Sequence, residues 1–340
     1  EEAADKSYAM LEMFDLKMEL TEGSYLEAER LAQAIREIPH ADWIAGLDLR
    51  LSFPTTVDAS TSDETVLISG RVIGIGVGGD KPEVGKLHVT AGRGLEAGDA
   101  GAMVCVAEHN FAEYYDVNPG ERSIHIGGEK TLQVVGAGLS PEHFYVMEEG
   151  AGALGVMAQD RYALLFVPLE TAQTLAELPG MVNQVLITVP EGVDEADLDQ
   201  LKSELRAAAD QAFPQVGLEL EKRSENVIYQ YMYDEIASNQ EMYDTFGFIL
   251  LLGAAFGAFI LTSRVVDAQR REIGIHMALG VAPRRIARRY LLFGLQIALL
   301  GTLIGVGLSL LVNQAMGQTM IDLLPLPYFE MPFQVDIFVQ

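Results

Sequence analysis

The chain has 340 residues, enough for two or three domains, and 49 acidic against 23 basic residues give it a net charge of −26. A surface this negative repels a phosphate backbone, which excludes nucleic acid as a partner. The single cysteine, Cys105, excludes an intramolecular disulfide, so the fold must be stabilised by its apolar core. We expect Cys105 itself to be a small buried residue of a strand.

Residues 1–224 have the pattern of a mixed α and β domain. Alternation predicts strands at 14–20, 43–53, 184–189 and 216–221, and helical periodicity predicts helices at 24–38 and 195–213. Ser24 and Glu27 have the spacing of a capping box at the start of the first helix, and Pro39 ends it. We expect the two resulting strand–helix–strand units to share one sheet.

Residues 65–158 lie between these units and are rich in short β-type runs. Gly-Gly and Asn-Pro-Gly sequences separate the runs, and one short helix is predicted at 108–115. This pattern predicts a β-rich subdomain inserted into the first lobe. The expected fold of the domain is therefore α+β, an α/β lobe with a β-rich insertion.

Two uncharged apolar runs follow, at residues 246–263 and 291–312. A bilayer core takes about 20 apolar residues as a helix, because lipid offers the backbone no hydrogen-bonding partner. Residues 225–245 contain no proline or glycine and predict a stalk helix that continues into the first run. The alternative for each run is a buried core helix of a soluble protein, which the arginine-rich loop between them disfavours.

The charge distribution predicts the orientation in the membrane. Residues 264–289 carry seven arginines against two acids, whereas residues 1–245 carry 16 basic and 44 acidic residues. Short arginine-rich loops stay in the cytoplasm. We therefore predict a plasma (inner) membrane protein with residues 1–245 extracytoplasmic, an all-α transmembrane region within 246–340 and a cytoplasmic elbow at 264–289.

The chain shows no signal peptide, although its first 245 residues are predicted to be exported. It also stops at residues 335–340, soon after the second apolar run. We therefore expect a fragment of a longer protein, with one membrane helix before residue 1 and another after residue 340.

The elbow contains the most specific motif of the chain. The first membrane helix is expected to continue to Leu279, end at Gly280 and restart with Pro283 as the first residue of the next helix. The sequence here resembles the FtsX-like permease family of ABC transporters, in which R-E-I-G-x-x-x-A-L-G follows a membrane helix. The residues that carry this resemblance are Arg271, Glu272, Ile273, Gly274, Ala278, Leu279 and Gly280.

The outer domain also resembles this family. Residues 88–140 are similar, in the spacing of glycines and β-branched residues, to the periplasmic core domain of MacB-type members. The resemblance implies a porter-like α/β lobe with an inserted β-rich one. It also implies a permease domain with four membrane helices, of which this chain would lack the first and the last.

The partners follow from the same resemblance. An ABC ATPase subunit or domain would bind ATP, because the chain has no G-x-x-x-x-G-K-[ST] motif and would bind no cofactor itself. It would dock at the elbow, where we add Arg270 and Pro283 to the motif residues as candidates. Glu272 would hold the elbow through ion pairs with neighbouring arginines or through a contact at a helix end. A second permease copy would complete a dimer, and an extracytoplasmic adaptor or lipoprotein is a further expected partner.

Each membrane helix contains a G-x-x-x-G sequence. Gly253 and Gly257 form the first, and Gly301 and Gly305 the second. Small residues four apart allow two helices to approach closely, so we predict helix packing at both. The alternative is chance, because glycine is common in membrane helices.

No catalytic or metal site is predicted, and we expect the protein not to be an enzyme. The six histidines show no H-x-x-H or H-E-x-x-H spacing, and acids beside histidine are expected by chance in so acidic a chain. The leading function is a permease subunit that couples cytoplasmic ATP hydrolysis to substrate export or extraction outside, by mechanotransmission through its helices. A scaffold that activates a cell-wall hydrolase and a membrane-anchored enzyme are the alternatives.

Overall fold

The structure is a computed structural model, and it divides into two compact units, one within residues 1–233 together with 326–328 and the other from residue 234 onward. The residues that it describes are 2–60, 65–78, 84–128, 130–146, 161–323 and 326–328. Residues 147–158 of the predicted insertion and the chain end at 335–340 lie outside the described residues.

The first unit is a sheet with helices packed on it. In chain order its strands are β1 (Leu16–Leu20), β2 (Leu26–Glu27), β3 (Gly46–Asp58), β4 (Leu67–Ile75), β5 (His88–Gly92), β6 (Val104–Glu108), β7 (Ser123–Ile126), β8 (Lys130–Leu139), β9 (Tyr162–Pro168), β10 (Met181–Val182), β11 (Gln184–Thr188) and β12 (Leu218–Lys222). Its helices are α1 (Glu2–Met10), α2 (Ala28–Arg36), α3 (His109–Tyr114), α4 (Leu169–Ala176), α5 (Glu195–Ala212) and the start of α6 (Val227–Ala268).

One mixed sheet holds most of these strands, in the order β12-β1-β11-β3-β4-β9-β6-β8-β5, with β7 against β3 and β8. β3 joins its two halves, because residues 46–50 pair with β11 and residues 51–58 pair with β4. The predicted α+β fold is confirmed. The predicted insertion shares the sheet of the lobe, and β9 extends that β-rich part beyond residue 158.

Each half of the sheet has its own apolar core. On the β1, β11 and β12 side, α2 and α5 bury Leu31, Ile35, Leu201 and Leu205 against the strands. On the other side, α3 and α4 pack on β4, β6, β8 and β9, and Cys105 is fully buried there in β6, as predicted.

The predicted start of the first helix is wrong. Leu26 and Glu27 are extended and pair with Val182 and Met181, and the Ala28 amide donates to the Gly180 carbonyl at 2.9 Å. This pairing occupies the backbone that a helix from Ser24 would need, so α2 begins only at Ala28, without a side-chain cap. The predicted strand at 43–53 also starts later, because Ala41–Trp43 forms a 3-10 turn.

The second unit consists of the rest of α6, α7 (Arg270–Ala278) and α8 (Pro283–Leu323). Two helical stretches, Val227–Ala268 and Pro283–Gln314, are long and apolar enough to cross a membrane. Neither apolar stretch is buried, and side chains such as Leu251 and Leu303 are about 70% exposed. Exposure of so much apolar surface disfavours a soluble core helix and fits helices whose solvent is lipid.

Candidate functional site

Within the elbow, α7 ends at a glycine. Gly280 has φ +88°, its amide donates to the Met277 carbonyl at 3.0 Å, and the Val281 amide donates to the His276 carbonyl at 3.0 Å. These two bonds define a Schellman motif, which needs a left-handed residue that glycine supplies. α8 then begins at Pro283, so the predicted stop and restart are confirmed.

A second bend lies within the elbow, before α7, and the sequence did not predict it. α6 ends at Ala268, and Gln269, with φ −99° and ψ 9°, separates it from α7. The Tyr290 hydroxyl of α8 donates to the Gln269 side-chain oxygen at 2.7 Å. The predicted continuous helix from about 225 to 279 is therefore wrong at Gln269, whereas its start at Val227 lies within two residues of the prediction.

The elbow charges are mostly solvent-facing. Arg270 Nε lies 3.0 Å from Asp267 Oδ1, with both side chains more than half exposed, so this ion pair contributes little to stability. Among the described residues, Glu272 has no ion pair, so the expected pairing with its arginine neighbours is wrong and the alternative, a contact at a helix end, stays a prediction. Arg270 and Arg271 are two residues and one residue away from Glu272 and leave the helix on other faces.

The three helices of this unit line an open apolar cavity of about 830 Å³. Its lining includes Phe259, Val266, Ile273, Met277, Ile286 and Leu291. Of the predicted elbow residues, Ile273 and Pro283 line this cavity. The others, Arg270, Arg271, Glu272, Gly274, Ala278, Leu279 and Gly280, are exposed. The exposed surface of the elbow thus combines charged side chains with apolar ones such as Leu279, which is 76% exposed.

The G-x-x-x-G glycines do not pack against another helix within the described part of the chain. A Cβ built at Gly253, Gly257, Gly301 or Gly305 would meet no atom within 4 Å. Packing at these glycines stays a prediction. The helix that would pack there is not among the described residues of this chain.

The start of α6 is held in the first unit by an aromatic cluster. The Tyr8 ring of α1 lies 5.1 Å from Tyr229 and 5.1 Å from Phe144, and Tyr229 lies 4.6 Å from Tyr233. Tyr233 donates a hydrogen bond to Asp5. Met232, one turn into the helix, is 4% exposed. One face of the first two turns of α6 is therefore part of the core of the outer domain.

Polar groups fix the chain just before α6. The Arg223 guanidinium donates to the Met13 carbonyl at 2.7 Å, to the Phe14 carbonyl at 2.9 Å and to Asp15 Oδ1 at 2.7 Å. Asn226 accepts from the Tyr229 amide at 3.1 Å, which satisfies one of the free amides at the helix start.

A buried charge cluster lies in the middle of the sheet. Arg50, 2% exposed, donates to Asp48 at 2.7 Å, to Glu142 at 2.7 Å and to the backbone carbonyls of residues 84 and 85. Burial alone would raise the pKa of Glu142, but Arg50 and Lys17 hold it below its usual value. The sequence could have predicted that Asp48 and Arg50 share one face of a strand, because they are two residues apart. It could not have predicted the contact with Glu142, which is 92 residues from Arg50.

Comparison with known proteins gives two family matches. The MacB-like periplasmic core domain matches residues 10–208, and the FtsX-like permease C-terminal domain matches residues 245–339. No curated protein sequence matches the chain.

Two solved structures are similar at low identity. The periplasmic region of MacB from Actinobacillus actinomycetemcomitans is 10% identical, with a TM-score of 0.43, over 68% of this chain and 97% of its own. The extracellular domain of the ABC-type transporter YknZ from Gram-positive bacteria is 15% identical, with a TM-score of 0.40, over 61% of this chain and 100% of its own.

The family assignment rests on the extent of these matches. The core-domain match covers more than half of the chain, and the permease match begins at residue 245, inside α6. These two family matches and the two exposed apolar helices show that the chain is a membrane protein with an extracytoplasmic domain. The chain belongs to the MacB- and FtsX-like family of ABC transporter permeases.

Proposed function

We propose that this chain is the permease subunit through which a cytoplasmic ATPase acts on a substrate outside the cytoplasm, by mechanotransmission. The observation that supports this most is α6, which runs from Val227 to Ala268 without a break. At about 1.5 Å per residue it is about 63 Å long. Its start is part of the outer-domain core, and one residue separates its end from α7 of the elbow.

In this proposal the ATPase binds the nucleotide and docks on the exposed face of the elbow. Glu272 and Arg271 are exposed there, and Glu272 has no ion pair among the described residues, so both are available to a partner. The free faces of Gly253 and Gly301 would contact a second copy of the permease. An extracytoplasmic adaptor or lipoprotein would then deliver or receive the substrate.

The substitution Glu272→Lys in the full-length protein, reconstituted with its ATPase, tests the docking site. We expect ATP hydrolysis to continue while ATP no longer changes the amide hydrogen exchange of the outer domain. Glu241→Lys, at an exposed position of α6, is the matched control and should leave the ATP-dependent change intact. A normal ATP-dependent change in the Glu272→Lys protein would refute the assignment of the elbow.

A further inference from the structure

A cleft of about 830 Å³ opens in the outer domain where β3 and β4 separate. The ladder between these strands ends at Leu51 and Gly74, and β3 continues through residues 46–50 beside β11 alone. β11 and β4 lie on opposite sides of β3. Within the described residues, no strand therefore pairs with residues 46–50 on the side of the cleft, and this stretch is a local sheet edge.

The residues lining the cleft confirm that it reaches the strand edge. Leu47 and Leu49 from one face of β3 and Asp48 and Arg50 from the other all line it. Residues alternate between the faces of a strand, so a cavity that contacts all four must approach the backbone from the side. Leu47, Asp48 and Leu49 are half-buried, whereas Gly46 and Arg50 are buried, so the backbone of residues 47–49 is the part of this edge that a ligand can reach.

The walls of the cleft combine apolar side chains with bare backbone. Ile75, Leu87, Leu95 and Leu169 provide the apolar contacts, and Gly76, Gly78, Gly85 and Gly94 interrupt them. At Gly85 a Cβ would lie 2.7 Å from Arg50 Nη2, so no side chain can narrow the cleft at that point. Apolar walls along a free strand edge are what an extended peptide requires.

The acidity of the domain, rather than the charges that line the cleft, favours a basic segment. Lys86 Nζ is paired with Glu12 at 2.9 Å, and Arg50 is paired with both Asp48 and Glu142. These pairs leave Glu29 and Arg36 at the rim on α2. Asp48 uses Oδ2 for Arg50, which leaves Oδ1 as a further acceptor inside. The strongly acidic domain, with 44 acids against 16 bases in residues 1–245, adds an attractive field for cations.

We propose that this cleft binds an extended peptide segment of an extracytoplasmic partner protein, which adds a strand beside residues 47–49 of β3 and carries a basic side chain among apolar ones. At about 3.3 Å per residue, three paired residues span about 10 Å. Main-chain hydrogen bonds give the affinity, and the apolar walls and Asp48 select the side chains. The site is independent of the proposed coupling to an ATPase.

The experiment uses a fluorescein-labelled peptide of alternating valine and lysine and the full chain in nanodiscs of zwitterionic lipid. We expect the peptide to slow hydrogen exchange of the amides within residues 46–50. The same peptide N-methylated at alternate residues, which cannot pair as a strand, should bind about tenfold more weakly or worse, as expected from the loss of two main-chain hydrogen bonds. A valine–glutamate peptide should also bind more weakly.

Two variants on α2 locate the site. Gln33→Trp places a large ring at an exposed position that lines the cleft, and it should weaken binding of the valine–lysine peptide by about tenfold or more. Arg30→Trp adds the same ring outside the cleft, where Arg30 lies over Phe213, and should leave binding unchanged.

Three outcomes would overturn the proposal. Equal binding of the N-methylated peptide would indicate a site for small cationic amphiphiles instead of a strand. Protection of residues 46–50 before any peptide is added would show that this chain covers its own edge. Equal weakening by the two tryptophan variants would place the binding elsewhere.

Discussion

At the scale of single residues, the outer domain contains a carboxyl group that burial sets apart from the other acids. Glu108 is fully buried at the end of β6 and caps α3, accepting from the Asn110 amide at 3.0 Å and the Phe111 amide at 2.8 Å. Burial raises the pKa of Glu108 to about 7, although these bonds favour its ionised form. Desolvation therefore outweighs the helix cap at this position.

This pKa makes stability depend on pH in a defined direction. Between about pH 4.5 and pH 7 the folded domain binds a proton at Glu108 that the unfolded chain has lost, so the free energy of unfolding falls as pH rises. The full shift corresponds to on the order of 3 kcal/mol. Glu108→Gln has no proton to lose and should lack this fall.

Urea unfolding between pH 4 and pH 8 measures the effect, with the fluorescence of Trp43, the only tryptophan, reporting on the outer domain. The difference between the native and Glu108→Gln proteins is the informative quantity. Burial also lowers the pKa of both His88 and His109, and their protonation gives an opposite slope that the two proteins share. Parallel pH profiles would contradict the prediction.

At the scale of secondary-structure elements, sequence signals predicted the structure well where it depends on neighbouring residues alone. Gly280 and Pro283 set the end of α7 and the start of α8 through their own backbone preferences, and both positions are confirmed. The predicted helix start at Ser24 was wrong because Met181 and Val182, far along the chain, pair with the segment that Ser24 was predicted to cap. Pairing between distant segments cannot be read from a capping pattern.

The candidate sites follow the same rule. The elbow motif is contiguous, so its residues could be chosen from the sequence, although the bend at Gln269 depends on Tyr290 of the next helix. The cluster around Arg50 and the aromatic cluster around Tyr8 assemble residues from distant segments. α1 and α4 were not predicted at all, because each is short and carries only part of an apolar face.

The aromatic cluster gives a prediction about the element that it anchors. Tyr8→Ala removes the ring that contacts Tyr229, Tyr233 and Phe144, and should destabilise the outer domain by about 3–5 kcal/mol. Amide protection in residues 227–233 should be lost first, because α6 loses its packing partner there. Hydrogen exchange of the full chain measures this.

Tyr8→Phe is the matched control. The Tyr8 hydroxyl is buried and has no hydrogen-bond partner among the described residues, so its removal leaves no group unsatisfied. We expect Tyr8→Phe to keep, or slightly raise, the protection of residues 227–233. Loss of protection in both variants would mean that the hydroxyl, rather than ring packing, holds the helix.

At the scale of the whole molecule, the chain joins a strongly acidic outer domain to an arginine-rich elbow through one helix. α6 contains both the end that packs in the outer domain and an apolar stretch able to cross a membrane. No proline interrupts it, and its three glycines, Gly247, Gly253 and Gly257, all lie in the apolar stretch, where they are tolerated. Mechanotransmission requires that this helix stay stiff.

Inserting Gly-Gly-Ser after Ser238 tests that requirement. Each glycine costs about 1 kcal/mol in an exposed helix, so the insertion should melt α6 locally while both ends stay folded. In the full-length protein with its ATPase, we expect the ATP-dependent change in hydrogen exchange of the outer domain to disappear, with ATP hydrolysis retained. Inserting Ala-Ala-Glu at the same place adds equal length and rotation but keeps the helix, and should preserve more of the change. Equal loss of the ATP-dependent change in both insertion variants would show that the length and rotation of α6, not its stiffness, matter. Retention of the change in both variants would favour an outer domain that is only anchored to the membrane.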